Sequence, residues 1–121
     1  MHTIRFRHLV ALLLALVLGS MAARAHAIVV SSRPAADAVV HGATTEAVVR
    51  FNSRIDRERS RLLLIRADGS STTLDLKETQ NPDTLAATLA GLVPGTYRLR
   101  WQVLAIDGHI TRGDIPFTVA P

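Results

Sequence analysis

The sequence has 121 residues, with 14 Lys+Arg against 10 Asp+Glu and no cysteine. That length fits one domain, and the missing cysteine excludes disulfides and thiolate metal sites. Arg5, Arg7 and Arg24 sit ahead of residue 26, so residues 26–121 carry 11 basic and 10 acidic residues, a net of +1, and with one Trp, one Tyr and no basic cluster interleaved with aromatics they give no electrostatic case for nucleic acid.

The chain opens with Met1 to His8, basic through Arg5 and Arg7 and free of acids, followed by an almost wholly apolar run from Leu9 to Ala23 and then Ala23-Arg24-Ala25. A basic start, a short apolar middle and small residues at the cut are the three parts of a secretory signal peptide. The apolar run is shorter than the roughly 20 residues a bilayer-spanning helix needs, which disfavours an uncleaved anchor. Residues 1–25 are therefore expected to be removed, leaving a domain of residues 26–121 in the periplasm. Ala25-His26-Ala27 satisfies the same small-x-small rule, so a cut after Ala27 stays open. Met1 and Met21 both fall near the start. The exported domain then has neither thiol nor thioether, and any metal must be held by nitrogen and oxygen.

Beyond this segment the apolar residues recur with period two. Ala27 to Val30 begins a strand, and Ala47 to Phe51 places Val49 and Phe51 on one face. Leu62 to Ile65 is a continuous apolar run of the kind found in a buried strand, and Thr73 to Leu76 alternates again. Leu85 to Leu89 is short enough to be strand or helix. Thr96 to Ile106 is the strongest segment, with Tyr97, Leu99, Trp101 and Val103 on one face, and Ile115 to Val119 closes the chain. Turn dipeptides punctuate the runs: Arg33-Pro34, Asp68-Gly69, Asn81-Pro82, Pro94-Gly95 and Asp107-Gly108. Arg57, Arg59 and Arg61 alternate and read as one solvated face of a strand or of its approach. About seven short strands with no long amphipathic helix predict an all-β sandwich or barrel.

Three histidines remain after residue 25: His26, His41 and His109. A cut after Ala25 makes His26 the first residue, where the free α-amine and the imidazole Nδ1 form a chelate on one ion. Nitrogen donors in a square arrangement suit Cu(II), which heads the affinity order of the first-row divalent ions. Asp107-Gly108-His109 follows the strongest strand, and in extended geometry a carboxylate and an imidazole two residues apart share a face. Taken alone, Asp-Gly is an ordinary turn dipeptide. His41 lies in a glycine-containing loop (Val40-His41-Gly42-Ala43) and is expected to be a bystander.

The order and spacing of these motifs resemble one family. His26-Ala27 followed by Ser31-Ser32-Arg33-Pro34-Ala35 resembles the opening of CopC-type copper-resistance proteins, and Val48-Val49-Arg50-Phe51 resembles their second strand. Leu92-Val93-Pro94-Gly95-Thr96-Tyr97, Trp101, Asp107-Gly108-His109, Gly113 and Phe117 resemble their ending, the more distinctive part. The resemblance implies a small Greek-key β-barrel or sandwich, immunoglobulin-like or cupredoxin-like, that binds one Cu(II) per chain and catalyses nothing. The ligands it implies are the α-amine and imidazole of His26, the carboxylate of Asp107 and the imidazole of His109. It also implies a CopD-like inner-membrane protein as partner; the domain itself is expected to be a monomer. Two features depart from the pattern. Asn52-Ser53-Arg54 stands where some members place a glutamate near the copper, which leaves open a contribution from Asn52 or Ser53. The methionine-rich Cu(I) loop of other members is absent. Competing readings are a histidine-brace copper oxidase and a metal-free immunoglobulin-like interaction domain. Few aromatics are present to line a substrate platform, and a carboxylate ligand favours Cu(II) over cycling to Cu(I).

Overall fold

Alternating apolar and polar residues give each strand one face to bury, and two sheets meet along those faces. The computed structural model describes residues 27–121, which form eight strands and no helix: β1 (Val29–Arg33), β2 (Ala38–Val40), β3 (Thr45–Phe51), β4 (Ile55–Arg66), β5 (Ser71–Thr73), β6 (Thr84–Leu89), β7 (Gly95–Ala105) and β8 (Ile110–Val119). One sheet has the order β1-β3-β6, the other β2-β8-β7-β4-β5. All pairings are antiparallel except β2 with β8, which run parallel from Ala38↔Phe117 to Val40↔Val119. The chain changes sheets between β1 and β2. There Asp37 takes a left-handed backbone (φ 64°) and donates its N–H to the Pro116 carbonyl at 2.7 Å. The expected all-β sandwich is present.

The core is the sum of the inward faces. Ala47, Val49 and Phe51 of β3 and Leu85, Ala87 and Leu89 of β6 meet Leu62 and Leu64 of β4, Leu99 and Val103 of β7, and Phe117 and Val119 of β8. Each large apolar side chain buried there contributes about 1.5–3 kcal/mol, against roughly 0–1 kcal/mol for an exposed ion pair. Packing therefore sets the fold. Tyr97 stacks on Phe117 (centroids 5.4 Å, planes 13° apart) while its hydroxyl donates to the Val93 carbonyl at 2.8 Å and accepts the Val93 N–H at 3.0 Å. The tyrosine thus ties the turn before β7 to the core, as in the tyrosine corner of immunoglobulin-like sandwiches.

Several details differ from the sequence expectation. There are eight strands rather than about seven, because Ala38–Val40 and Ser71–Thr73 add three-residue edge strands. Leu85–Leu89 belongs to a strand because β3 pairs with it from Thr45↔Leu89 to Arg50↔Thr84. The alternation expected through Leu76 stops pairing at Thr73, yet Leu74 and Leu76 still pack on the core. Arg57, Arg59 and Arg61 do not line one strand face. Residues 57–60 bulge out between Asp56↔Leu104 and Arg61↔Gln102. Arg57 reaches Glu78 (2.6 Å), Arg59 reaches Asp56 (3.5 Å), and Arg61 alone is on the ladder. Ser60 secures the bulge by donating to the Asp56 carbonyl and accepting the Leu104 N–H.

Trp101 is half-buried. It shares the inward face of β7 but lies opposite Gly113 of β8, beyond the short reach of β2, at an open sandwich edge. Its indole meets Phe51 edge-on (5.3 Å, 71°) and covers Gly113 so closely that a Cβ there would fall 2.6 Å from Trp101 Cζ2.

Candidate metal centre

The β7–β8 hairpin closes through residues 106–109 at one end of the sandwich. Strand pairing stops at Leu104↔Ile110. The loop is held by the Gly108 N–H on the Ala105 carbonyl (2.9 Å), the Ala105 N–H on the His109 carbonyl (2.9 Å), and the Ile106 N–H on the Arg54 carbonyl (3.1 Å). Gly108 has φ +89°, a left-handed conformation that favours glycine.

This turn brings Asp107 and His109 together. Asp107 Oδ1 accepts the His109 N–H at 3.1 Å, and Oδ2 lies 3.2 Å from His109 Nδ1. The two side chains converge, but not by extended-strand geometry. The strand ends at Ala105, and an Asx-type turn with left-handed Gly108 folds the carboxylate back over the histidine. A proton on Nδ1, shared with the carboxylate, puts the imidazole lone pair on Nε2, the arrangement in which a carboxylate orients a metal-binding histidine. The Asp107 oxygens keep lone-pair capacity beyond these two contacts. The His109 side chain is 56% exposed and that of Asp107 31%, so an ion arriving from solvent has access to both.

His26 and residues 1–25, and with them the cut after Ala25, lie outside the described residues; a cut after Ala27 would fall between the described residues Ala27 and Ile28. The chain that follows His26 is firmly placed. Ala27 is 3% exposed and part of the core, and its carbonyl accepts from Thr111 Oγ1 at 3.3 Å. Ile28 forms a two-bond clamp with Asn52: its N–H donates to Asn52 Oδ1 (2.8 Å), and its carbonyl accepts the Asn52 N–H (2.9 Å). Residues 27–28 thus bridge the end of β3 and the beginning of β8, two residues from His109. Asn52 holds the incoming chain, a role that sequence reasoning left open between ligand and bystander. Its signal was present in the sequence only as an amide at a strand end. Ser53 Oγ is buried with no hydrogen-bond partner among the described residues.

His41 is exposed between β2 and β3. Val40 pairs with Val119 at the far end of β8, so about nine strand steps of 3.3 Å, roughly 30 Å, separate His41 from the Asp107–His109 loop. No group of three or more potential ligands is present among the described residues; the pair at 107 and 109 is what they contribute.

Comparison with known proteins identifies the family of this fold. The CopC domain model matches residues 29–120. The copper transport protein CutJ of Bacillus subtilis is 26% identical over 95% of the chain, but the chain spans only 22% of CutJ's length. Protein YobA of Escherichia coli is 31% identical over 78% of the chain and 79% of its own length. Among solved structures, CopC from Methylosinus trichosporium OB3b superposes with a TM-score of 0.71 at 26% identity, covering 79% of this chain and 95% of that one. PcoC of Escherichia coli, a methionine-rich copper resistance protein, gives 0.65 at 26% identity, covering 78% and 99%. This chain has no methionine after Met21. With its two-sheet sandwich and its Asp-Gly-His hairpin, the chain belongs to the CopC domain family.

Proposed function

We propose that residues 1–25 are a signal peptide removed on export to the periplasm, and that the resulting domain binds one Cu(II) through the His26 α-amine and imidazole, His109 and Asp107. The carrying observation is the Asp107–His109 pair, 3.2 Å apart on a loop beside the anchored chain that follows residue 26. Peptide geometry keeps residue 26 within about 3.8 Å, Cα to Cα, of Ala27. The burial of Ala27 also favours the cut after Ala25: a cut after Ala27 would delete a core residue along with the histidine. Nitrogen and carboxylate donors without sulfur suit Cu(II) rather than Cu(I).

The domain then acts without catalysis, as a monomer that buffers copper or hands it to a CopD-like inner-membrane protein. A copper-transport relative in which the matching stretch is about a fifth of one longer polypeptide supports a protein partner. The test is a Cu(II) titration of the protein starting at His26, with EPR on each variant. One equivalent in a nitrogen-rich tetragonal spectrum is expected. His109→Ala should weaken binding strongly, and Asp107→Asn should weaken it less, because an oxygen donor remains. One Ala added before His26 should be as damaging as loss of a ligand, because it converts the amine to a peptide nitrogen. Unchanged affinity in that extended variant would rule the site out. Since amine and imidazole bind only when deprotonated, affinity should fall as pH is lowered.

A further inference from the structure

The outer face of the five-stranded sheet carries charge that the overall composition conceals. Residues facing outward on β8, β7 and β4 form rows across the strands. Arg112, Gln102 and Arg61 make one row, and Asp114, Arg100 and Leu63 the next. Arg98 follows, paired with Pro116 and Ile65. These three rows thus hold four guanidiniums and one carboxylate. Asp114 binds both Arg100 (2.8 Å) and Arg98 (2.9 Å), while Arg61 and Arg112 are exposed and make no ion pair among the described residues. These rows sum to +3 in a domain whose total is +1. On the opposite sheet the charges largely cancel: Glu46 pairs with Lys77 (2.7 Å) and Asp83 with Arg50 (3.3 Å), leaving Arg33.

The same face runs into the Asp107–His109 loop. Beyond the Arg112–Gln102–Arg61 row lies the row of Ile110, Leu104 and Asp56, whose carboxylate is paired with Arg59 (3.5 Å), and Ile106 stands in the loop itself. Ile110 is 59% and Ile106 71% exposed. A shallow groove of about 460 Å³ lies between Arg61, Arg100 and Arg112. Apolar contact at the loop with flanking like charge is the composition of a protein-docking patch, whose charges steer encounter and fix orientation.

We propose that this arginine face, with Ile106 and Ile110 at its loop end, docks an acidic surface on the membrane protein that receives or supplies the copper. The inference rests on the handover reading above and adds the surface used and the charge of its partner. Docking on this face presents the 106–109 loop to the partner with the arginines as the orienting contact. The opposite sheet, with its internally paired charges, offers no such steering.

The experiment measures association of the Cu(II)-loaded protein with the CopD-like membrane protein of the same cell, purified in neutral detergent, over a salt series. Arg61→Glu with Arg112→Glu should slow association about tenfold or more at low salt and flatten its salt dependence. Arg33→Glu on the opposite sheet, combined with Lys77→Glu to match the charge change, should leave both within twofold. Ile110→Ser should speed dissociation with little effect on association. All variants should retain the parent's Cu(II) affinity and folded circular dichroism. Loss of copper binding in the parent protein would instead defeat the proposed site, a separate result. Equal effects from the two faces, or none from either, would overturn the docking proposal. Binding that requires anionic phosphatidylglycerol vesicles, or a salt-dependent self-dimer by sedimentation, would also overturn it and assign the face to a lipid surface or a second copy.

Discussion

Asn52 joins the fold to the candidate metal centre through two hydrogen bonds to Ile28. Replacing it with Ala removes the side-chain acceptor and leaves the Ile28 N–H to solvent. A hydrogen bond of this kind is worth about 0.5–1.5 kcal/mol, which corresponds to a Cu(II) affinity lower by roughly two- to tenfold if the clamp positions the amine donor. Calorimetric titration of Asn52→Ala against the parent protein checks this, and an unchanged Kd with a lowered Tm would assign Asn52 to stability alone. His41 offers the opposite expectation. It lies at the other end of β8, so His41→Ala should leave the Cu(II) titration curve superimposable on that of the parent.

At the level of elements, the β7–β8 pairing positions both the loop and the lone tryptophan. Gly113 is required by proximity: a Cβ at this position meets the Trp101 ring at 2.6 Å and 2.9 Å. Gly113→Ala should push the indole outward, shift its fluorescence to the red and cost about 1–3 kcal/mol, the range for overpacking. The chain has one Trp, so the emission reads this contact directly. Trp101→Ala should cost about 2–4 kcal/mol, less than a wholly buried tryptophan because the ring is half-exposed. On the outer face, the Arg100 guanidinium, with help from Arg98, holds the Asp114 carboxyl below its ordinary range. A lowered folded pKa means that this contribution to stability is complete above the unfolded carboxylate value, about 3.9, and is lost as pH falls through the folded one. Asp114→Asn should therefore flatten the acid limb of a Tm-versus-pH curve, by a small amount given its partial exposure.

At the scale of the whole molecule, the two sheets and the incoming chain form one unit whose end carries the candidate centre. Ala27 packs in the core and binds Thr111, so the proposed cut after Ala25 would fall just before the chain that the fold uses as core. Intact mass of the protein recovered from the periplasm should correspond to a chain beginning at His26. A chain beginning at Ile28 would lack the chelate and a core residue together, and should bind copper poorly and melt earlier. The charge asymmetry belongs to this scale as well. A domain near neutrality in total can still steer a partner when its guanidiniums gather on one face.

Period-two patterning in Val49-Arg50-Phe51 and in Tyr97 to Val103 was enough to establish the sandwich and most of its core, because a strand that buries one face must alternate. Asp107, Gly108 and His109 were legible as a unit because a short turn is a local event. Other features depended on residues distant in sequence. Whether 85–89 was strand or helix was decided by its β3 partner, and the exposure of Trp101 by how far β2 extends along β8. The clamp of Asn52 on Ile28 joins residues 24 positions apart. Arg61, Arg100 and Arg112 stand on three different strands, and no linear reading joins them. Sequence determines what each segment can bury; the pairing of distant strands decides which side chains finally meet, because register and sheet order are set by packing across the whole domain.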